Sequence, residues 1–154
     1  MAKSPDIRTA HLFITPFDER HLTERYVRWL NDKQLMRFSE QRHKEHTLES
    51  CRAYWQSFLG SPNYFWAIEE LPLGLGHIGT INAYVNTHNL VADIGILIGE
   101  PQAQGRGYGT EAWKGVCDFL LRDLAVRKVA AGTLAGNNPM LKVMQTAGMI
   151  EEGK

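Results

Sequence analysis

The sequence has little cysteine, no excess of charge of either sign and no long apolar run. Its two cysteines, Cys51 and Cys117, stand in helix-like patterns without metal-ligand spacing, so we expect two reduced, buried thiols. Lysine plus arginine equals aspartate plus glutamate, 17 each, so no overall field attracts nucleic acid or an acidic membrane. No apolar run approaches the roughly 18 residues of a membrane helix, and the N-terminus lacks the apolar core of a signal peptide. We therefore expect a cytoplasmic protein without a metal.

The residues that are present suit a single domain over 1–154. The chain is 44% hydrophobic, which is enough for one core. Asp18 and Thr47 are good N-caps for the first two predicted helices. Apolar spacing predicts strands at 11–17, 64–70, 77–85, 90–98 and 126–134, and helices at 22–31, 48–59 and 140–146. A further helix is predicted to follow residue 109, with one apolar face formed by Trp113, Val116, Cys117, Leu120 and Leu124. This order predicts an α+β fold, with a mixed, mostly antiparallel central sheet flanked by about four helices.

A glycine-rich loop, QGRGYG at 104–109, lies between a predicted strand and a predicted helix. Glycines permit a tight turn that directs several backbone N–H groups the same way, and the helix adds its own N-terminal N–H groups. The loop therefore favours a phosphate ligand, bound with little side-chain charge.

Two well-known phosphate loops do not fit this segment. A Walker loop requires Gly-Lys-Ser/Thr, whereas Gly109 is followed by Thr110 and Glu111. A dinucleotide fingerprint requires G-x-G-x-x-G within a parallel unit, whereas the spacing here is G-x-G-x-G after antiparallel strands. A plain glycine-rich turn remains an alternative on the residues alone.

QGRGYG resembles the Q/R-x-x-G-x-G/A coenzyme A motif of the GNAT superfamily of N-acetyltransferases. Four further segments resemble the ribosomal-protein alanine acetyltransferase branch or the wider family in the same order along the chain. They are the first-strand signature and first-helix end (9–17 and 29–32), the fourth strand (VADIGILIGEP, 91–101) and the Asn-led final helix (NNPMLKVMQTAGM, 137–149).

The resemblance implies that an amine attacks the acetyl-coenzyme A thioester directly within a ternary complex. The acceptor would be a primary amine of a small molecule or a peptide. Backbone groups freed by a bulge in the fourth strand would bind the pantetheine arm and thioester oxygen. The implied coenzyme A residues are Ile96, Leu97, Ile98, Gln104, Gly105, Arg106, Gly107, Tyr108, Gly109, Thr110 and Asn137.

Asp93 is the first candidate for the base that deprotonates the amine, because it interrupts an apolar strand where the branch often has Glu. We expect a half-buried carboxylate there; a solvated residue or a salt bridge is the alternative. His77, His88 and Glu100 are weaker candidates.

Proton donation to the leaving thiolate is less well supported by the sequence. Met144 and Met140 occupy the positions of the family's Tyr and the branch's Ser, and neither can donate a proton. Tyr108 or Tyr84 could serve instead, or the thiolate could leave unassisted.

The resemblance also implies that the connection between the first two helices lines the acceptor site. Its residues Glu40, Gln41, Arg42 and His43 carry both charge signs and suit an amino sugar or a peptide N-terminus; a solvated loop is the alternative.

Two other functions stay open on the sequence, a coenzyme A-binding module without turnover and, less well supported, a nucleotide-phosphate enzyme. The family continues with two further strands beyond the last helix. We therefore expect a longer natural protein, or a homodimer that covers the edge of the strand at 126–134.

Overall fold

The computed structural model describes residues 5–37 and 44–131, which form one curled, six-stranded sheet with three α-helices. The strands pair in sequence order, β1 to β6. The elements are β1 (Ile7–Arg8), β2 (Leu12–Pro16), α1 (Glu24–Asn31), α2 (Leu48–Gln56), β3 (Tyr64–Glu70), β4 (Gly76–Asn86), β5 (Val91–Ile98), α3 (Tyr108–Asp118) and β6 (Lys128–Ala130).

The mixed, mostly antiparallel sheet predicted from the sequence is confirmed. β1 to β5 form an antiparallel meander, and β6 pairs with β5 in parallel after the crossover through α3. Strand β3 coincides with the predicted run, because its apolar residues are buried on both faces. The predicted helix at 140–146 and the end of the predicted strand, at 132–134, lie outside the described residues.

Both predicted N-caps form, although Asp18 caps a different element. Thr47 and Ser50 make a complete capping box at the start of α2. Asp18 caps a single 3₁₀ turn at Glu19–His21, and Thr23 caps α1 by accepting the Tyr26 N–H. The extra turn forms because Asp18 accepts the Glu19 N–H while its own N–H donates to His21 Nδ1. The first helix therefore begins later than Asp18 alone would predict.

The sheet separates two apolar clusters. One face packs on α3, with Trp66, Trp113 and Leu120 fully buried between them. The other face packs on α1 and α2 through an aromatic group that includes Phe17 and Phe65. Alternate residues of β4 and β5 therefore belong to different sides of the molecule.

Helix α3 is fastened across the sheet to the first hairpin. The Glu111 carboxylate accepts hydrogen bonds from the Thr9 hydroxyl and the His11 backbone N–H, the latter at 2.8 Å. Its other oxygen lies 2.8 Å from His11 Nδ1. The N-terminal end of α3 is thus held in place from both sides, by its own strand connection and by this carboxylate.

Candidate coenzyme A and acceptor site

The glycine-rich loop leads from β5 into α3 and leaves open space at its two turning residues. Gly105 and Gly107 have φ angles of 74° and 81°, in the left-handed region that favours glycine. A Cβ built on either residue meets no protein atom within 4 Å. Packing therefore does not require glycine at these positions, whereas the left-handed backbone conformation favours it. The open space beside both residues leaves room for a ligand to approach the backbone.

The loop presents a row of backbone donors without acceptors. Within the described residues, no hydrogen bond uses the N–H groups of residues 105–110, and the first one of α3 runs from the Glu111 N–H to Gly107 O at 3.0 Å. An 11-residue helix follows, whose dipole places partial positive charge at the same end. Six consecutive N–H groups at a helix N-terminus form a site for an anion such as a pyrophosphate.

Two side chains of the loop hold its shape. The Gln104 amide donates to Ile98 O at 2.6 Å, which fastens the loop to the end of β5. Arg106 Nε donates to Gln102 O at 2.7 Å, and the rest of its guanidinium is exposed. Gln104 thus positions the loop, while Arg106 can add positive charge beside a bound phosphate.

Tyr108 is buried, and its hydroxyl donates to Glu70 Oε2 at 3.1 Å. Glu70 is also buried and accepts the N–H groups of Leu73 and Leu75 at 2.8 and 3.0 Å. Burial raises the pKa of Glu70, but the hydrogen bonds from Leu75, Leu73 and Tyr108 lower it by more, so the net shift is downward. The Tyr108 hydroxyl already uses its proton in the hydrogen bond to the Glu70 carboxylate. This argues against the predicted role of Tyr108 as the acid that protonates the leaving thiolate.

The open edge of β5 supplies backbone groups next to the loop. Gly99 N–H donates to Ile78 O on β4, so odd-numbered residues of β5 direct their backbone toward β4 and even-numbered residues away from it. Among residues 44–131, strand β6 pairs with β5 at Val91–Asp93. Among the described residues, Ile96 therefore has backbone groups that no strand partner covers, while the carbonyl of Ile98 accepts from Gln104.

The pairing of β4 with β5 runs without a register shift through Ile98. Directly after it, the Gly99 and Glu100 N–H groups both donate to Ile78 O, at 2.8 and 3.2 Å, a pattern typical of a β-bulge, so the predicted bulge lies just beyond Ile96–Ile98. A register shift between β3 and β4 lies beside Ile68 and Glu69. Leu97 faces its backbone toward β4 and its side chain toward the second cluster, so it is a weaker coenzyme A residue than predicted.

Asp93 lies on the α1/α2 face of β5, directly opposite Tyr84 of β4. It is exposed rather than half-buried as predicted, and the described residues give it no ion pair or hydrogen bond. The reason is that its neighbour on the same face, Gly95, has no side chain to cover it. The carboxylate is therefore free to receive a cationic group from solvent.

Beside Asp93 lies a hydrogen-bonded group that the sequence did not reveal. The Tyr54 hydroxyl lies 2.7 Å from the Tyr84 hydroxyl and accepts from Asn82 Nδ2 at 3.1 Å. Asn82 Oδ1 in turn accepts the Gly95 N–H at 3.1 Å. In the sequence, only the alternation of polar residues along β4, which includes Asn82 and Tyr84, could have indicated this group.

Of the weaker base candidates, His77 is the most thoroughly enclosed. Burial, and then the neighbouring His21, lower the pKa of His77 to about 3. Its Nε2 lies 3.0 Å from Gly79 O, to which the neutral ring donates. Glu100 pairs with Arg25 at 3.2 Å. Both residues have structural partners, which leaves Asp93 as the better candidate.

Several predicted residues lie outside the described ranges: Glu40, Gln41, Arg42, His43, Asn137, Met140 and Met144. The two ends of the predicted acceptor connection are nevertheless joined. Asn31 Nδ2 donates to His46 O at 2.8 Å, and Asn31 Oδ1 accepts the His46 N–H at 2.7 Å. Asn31 thus ties the end of α1 to the approach to α2, on the same side of the sheet as Asp93.

The described part of the chain offers neither a metal site nor a membrane-spanning helix. In residues 5–37 and 44–131, no group of three His, Cys, Asp or Glu side chains is arranged to hold a metal ion. None of the helices there has the length and apolar character needed to cross a bilayer. Cys51 and Cys117 are both free thiols, and burial raises the pKa of Cys117 to about 11. Neither thiol is therefore a ready nucleophile.

An antiparallel meander followed by a glycine-rich loop, a helix and a parallel strand is the architecture of the GNAT acetyltransferase fold. The family model of the acetyltransferase (GNAT) domain matches residues 11–150, so the chain belongs to this family.

Known proteins of this fold resemble the chain along most of its length. Human alpha/beta-tubulin-N-acetyltransferase 9 is 24% identical over 148 residues, which cover 86% of this chain and 69% of the relative. The ribosomal L7/L12 alpha-N-protein acetyltransferase in complex with coenzyme A superposes with a TM-score of 0.83 at 16% identity, covering 97% of this chain and 86% of that one.

A second coenzyme A complex has the same fold. Spermidine N-acetyltransferase from Vibrio cholerae, with coenzyme A and spermine, gives a TM-score of 0.80 at 16% identity, covering 94% of this chain and 84% of that one. At these identities the solved structures establish the fold of this chain, and not its acceptor.

Proposed function

We propose that this protein transfers the acetyl group of acetyl-coenzyme A to a primary amine by direct attack within a ternary complex. The observation that carries the proposal is the row of six N–H groups at 105–110 that have no acceptor among the described residues, close to the part of β5 that β6 does not cover there. Family membership supports the reaction type. In this proposal residues 104–110 hold the pyrophosphate, and the backbone of Ile96 binds the pantetheine arm.

The spacing along β5 supports a role for Asp93. Asp93 lies five positions before Ile98, the strand residue beside the loop. At roughly 3.4 Å per residue, the two are about 17 Å apart along the strand. An extended pantetheine arm spans a comparable distance, so the thioester would lie near Asp93. The exposed carboxylate could then attract the ammonium form of the acceptor and accept its proton, directly or through water.

The acceptor is proposed as a primary amine of a small molecule or of a peptide. Relatives whose names specify ribosomal-protein or tubulin acetylation favour a peptide, while the spermidine enzyme shows that the same fold serves a small amine. A cytoplasmic location and a homodimer remain predictions.

A coenzyme A-binding module without turnover is the second candidate. It gains some support from Tyr108, whose hydroxyl is committed to Glu70 and is not available to protonate a thiolate.

Release of free thiol from acetyl-coenzyme A over a panel of amines and peptides tests the proposal, with calorimetric binding of coenzyme A measured in parallel. Acetyl transfer to any amine above the rate of spontaneous hydrolysis supports the enzyme. Tight coenzyme A binding without transfer to any member of the panel would favour the binding module. Failure to bind coenzyme A at all would contradict both.

A further inference from the structure

The hydroxyl and amide groups beside Asp93 form a chain with one direction. The Gly95 N–H can only donate, so the Asn82 atom that faces it is the carbonyl oxygen, and the Asn82 NH₂ must face Tyr54. The Tyr54 oxygen therefore accepts from Asn82. The other partner of the Tyr54 hydroxyl among the described residues is the Tyr84 hydroxyl, and either could be the donor. We assign the donor role to Tyr54, because it is the less exposed of the two, at 36% against 44%, and its proton has less access to water.

This direction leaves the Tyr84 proton without an acceptor. Tyr84 is 44% exposed, and the described residues contain no hydrogen bond from its hydroxyl to Asp93. The ring is held by Phe58, whose centroid lies 5.5 Å away, and by the Tyr54 hydroxyl. A fixed phenol that already accepts one hydrogen bond is a better donor to a ligand, because hydrogen bonds in a chain polarise one another.

Tyr84 and Asp93 therefore offer a donor and an acceptor side by side. They are directly opposite each other on β4 and β5, which places their Cβ atoms about 5 Å apart on one face. Gly95 keeps that face open toward Ile96, the strand edge proposed to bind coenzyme A. A cationic amine would satisfy the Asp93 carboxylate, and an oxygen carried by the same molecule would satisfy the Tyr84 hydroxyl.

We infer that Tyr84, positioned by Tyr54 and Asn82, selects acceptor amines that carry an oxygen on the carbon next to the amine-bearing carbon. This inference rests on the proposed acetyl transfer and narrows its acceptor class. A peptide N-terminus has such an oxygen in its first carbonyl, and a 2-amino sugar has one in its neighbouring hydroxyl. Simple alkylamines and polyamines lack it, so Tyr84 has nothing to bind in them.

Matched pairs of amines test the inference in the purified protein. Alanine amide is compared with sec-butylamine, and trans-2-aminocyclohexanol with cyclohexylamine, by thiol release from acetyl-coenzyme A. The variants are Tyr84→Phe and Tyr54→Phe, with Tyr64→Phe as a matched control, because Tyr64 lies in the α3-side cluster and outside this chain of hydrogen bonds. Differences in amine basicity cancel when each variant is compared with the natural protein on the same amine.

We expect Tyr84→Phe to lower kcat/KM about tenfold for the oxygen-bearing amine of a pair, the worth of one hydrogen bond, and to leave the alkylamine nearly unchanged. Tyr54→Phe should give a smaller loss with the same selectivity, and Tyr64→Phe none. The pair that responds identifies the acceptor as peptide-like or sugar-like. Equal losses on both members of each pair, or no loss on either, would overturn the inference.

Calorimetric binding of the same amines to the coenzyme A complex separates this inference from the proposed function. If the amines bind without being acetylated and Tyr84→Phe still weakens only the oxygen-bearing ones, the enzymatic proposal fails and the selectivity stands. If acetylation proceeds without any dependence on Tyr84, the enzyme stands and the selectivity is wrong.

Discussion

The coenzyme A half and the acceptor half of the proposed site consist of different kinds of chemical group. The coenzyme A half consists of backbone: six N–H groups at 105–110 and the open edge of β5 beside Ile96. The acceptor half consists of side chains from three separate elements, with Tyr54 on α2, Tyr84 on β4 and Asp93 on β5. A site made of backbone groups depends on the conformation of one short segment. A site made of side chains from three elements depends on how those elements pack together. Substitutions should therefore affect the two halves in different ways.

The largest effect should follow from changing the loop backbone. Gly107→Val places a branched side chain where the ligand approaches, at a residue whose φ is 81°. We expect coenzyme A affinity to fall about 100-fold, because one or two charge-assisted hydrogen bonds are worth ~1.5–3 kcal/mol each. Calorimetry measures the affinity.

Gly60→Val is the matched control for that change. Gly60 has a φ of 76° and equally open surroundings, but lies far from the loop in sequence. It carries the same backbone strain and should retain affinity. A folded Gly107→Val protein that binds coenzyme A as tightly as Gly60→Val would place the site elsewhere.

Asp93→Asn should leave coenzyme A binding intact and impair the reaction of the acceptor amine. Loss of a general base costs typically ~10²–10⁴-fold, so kcat/KM for the amine should fall by about two orders of magnitude while coenzyme A affinity is kept. Steady-state kinetics and calorimetry measure the two quantities. Asp118→Asn removes an exposed carboxylate of α3 and should change neither. An Asp93→Asn enzyme with full activity would exclude Asp93 from catalysis.

Gly95→Ala should disturb the acceptor half more gently. A Cβ at this position would lie 3.0 Å from Asn82 Oδ1, so the amide must shift by a few tenths of an ångström. We expect a several-fold rise in the KM for the amine, with the KM for acetyl-coenzyme A unchanged, because the Asn82 contact to Tyr54 weakens by part of one hydrogen bond. If the KM values for the amine and for acetyl-coenzyme A rise together, Gly95 affects coenzyme A binding as well as amine binding.

The smallest effect concerns a carboxylate that supports the loop from behind. The pKa of Glu70 is lower in the folded chain than in the unfolded one, so its contribution to stability is present above the ordinary glutamate range and is lost as pH falls. Glu70→Gln should therefore be less stable than the natural protein near neutral pH, and the difference should shrink in acid. Urea unfolding at several pH values measures it, and a constant difference would contradict the assigned shift.

The success of the predictions made from the sequence also differed between the coenzyme A half and the acceptor half. The loop at 104–109 was recognisable because glycine spacing and backbone conformation are local properties. The acceptor group was not, because α2 and β4 bring Tyr54 and Tyr84 together from positions 30 residues apart. Tyr108 illustrates the limit: its place beside the loop suggested an acid, but the end of β3 supplies Glu70, 38 residues away, as its partner. Asp93 was correctly placed on its strand, yet its exposure depended on Gly95 beside it on that face.

The contact between Glu111 and the first hairpin has a consequence for hydrogen exchange. The His11 amide proton is bound by a carboxylate 100 residues away, on the helix whose N-terminus forms the proposed anion site. Openings that detach α3 would release this amide and abolish the anion site together. A ligand that binds only the closed form should slow exchange through those openings by the factor 1 + [L]/Kd. The protection of one amide near the N-terminus would then report occupancy at a remote loop, without any measurement of catalysis.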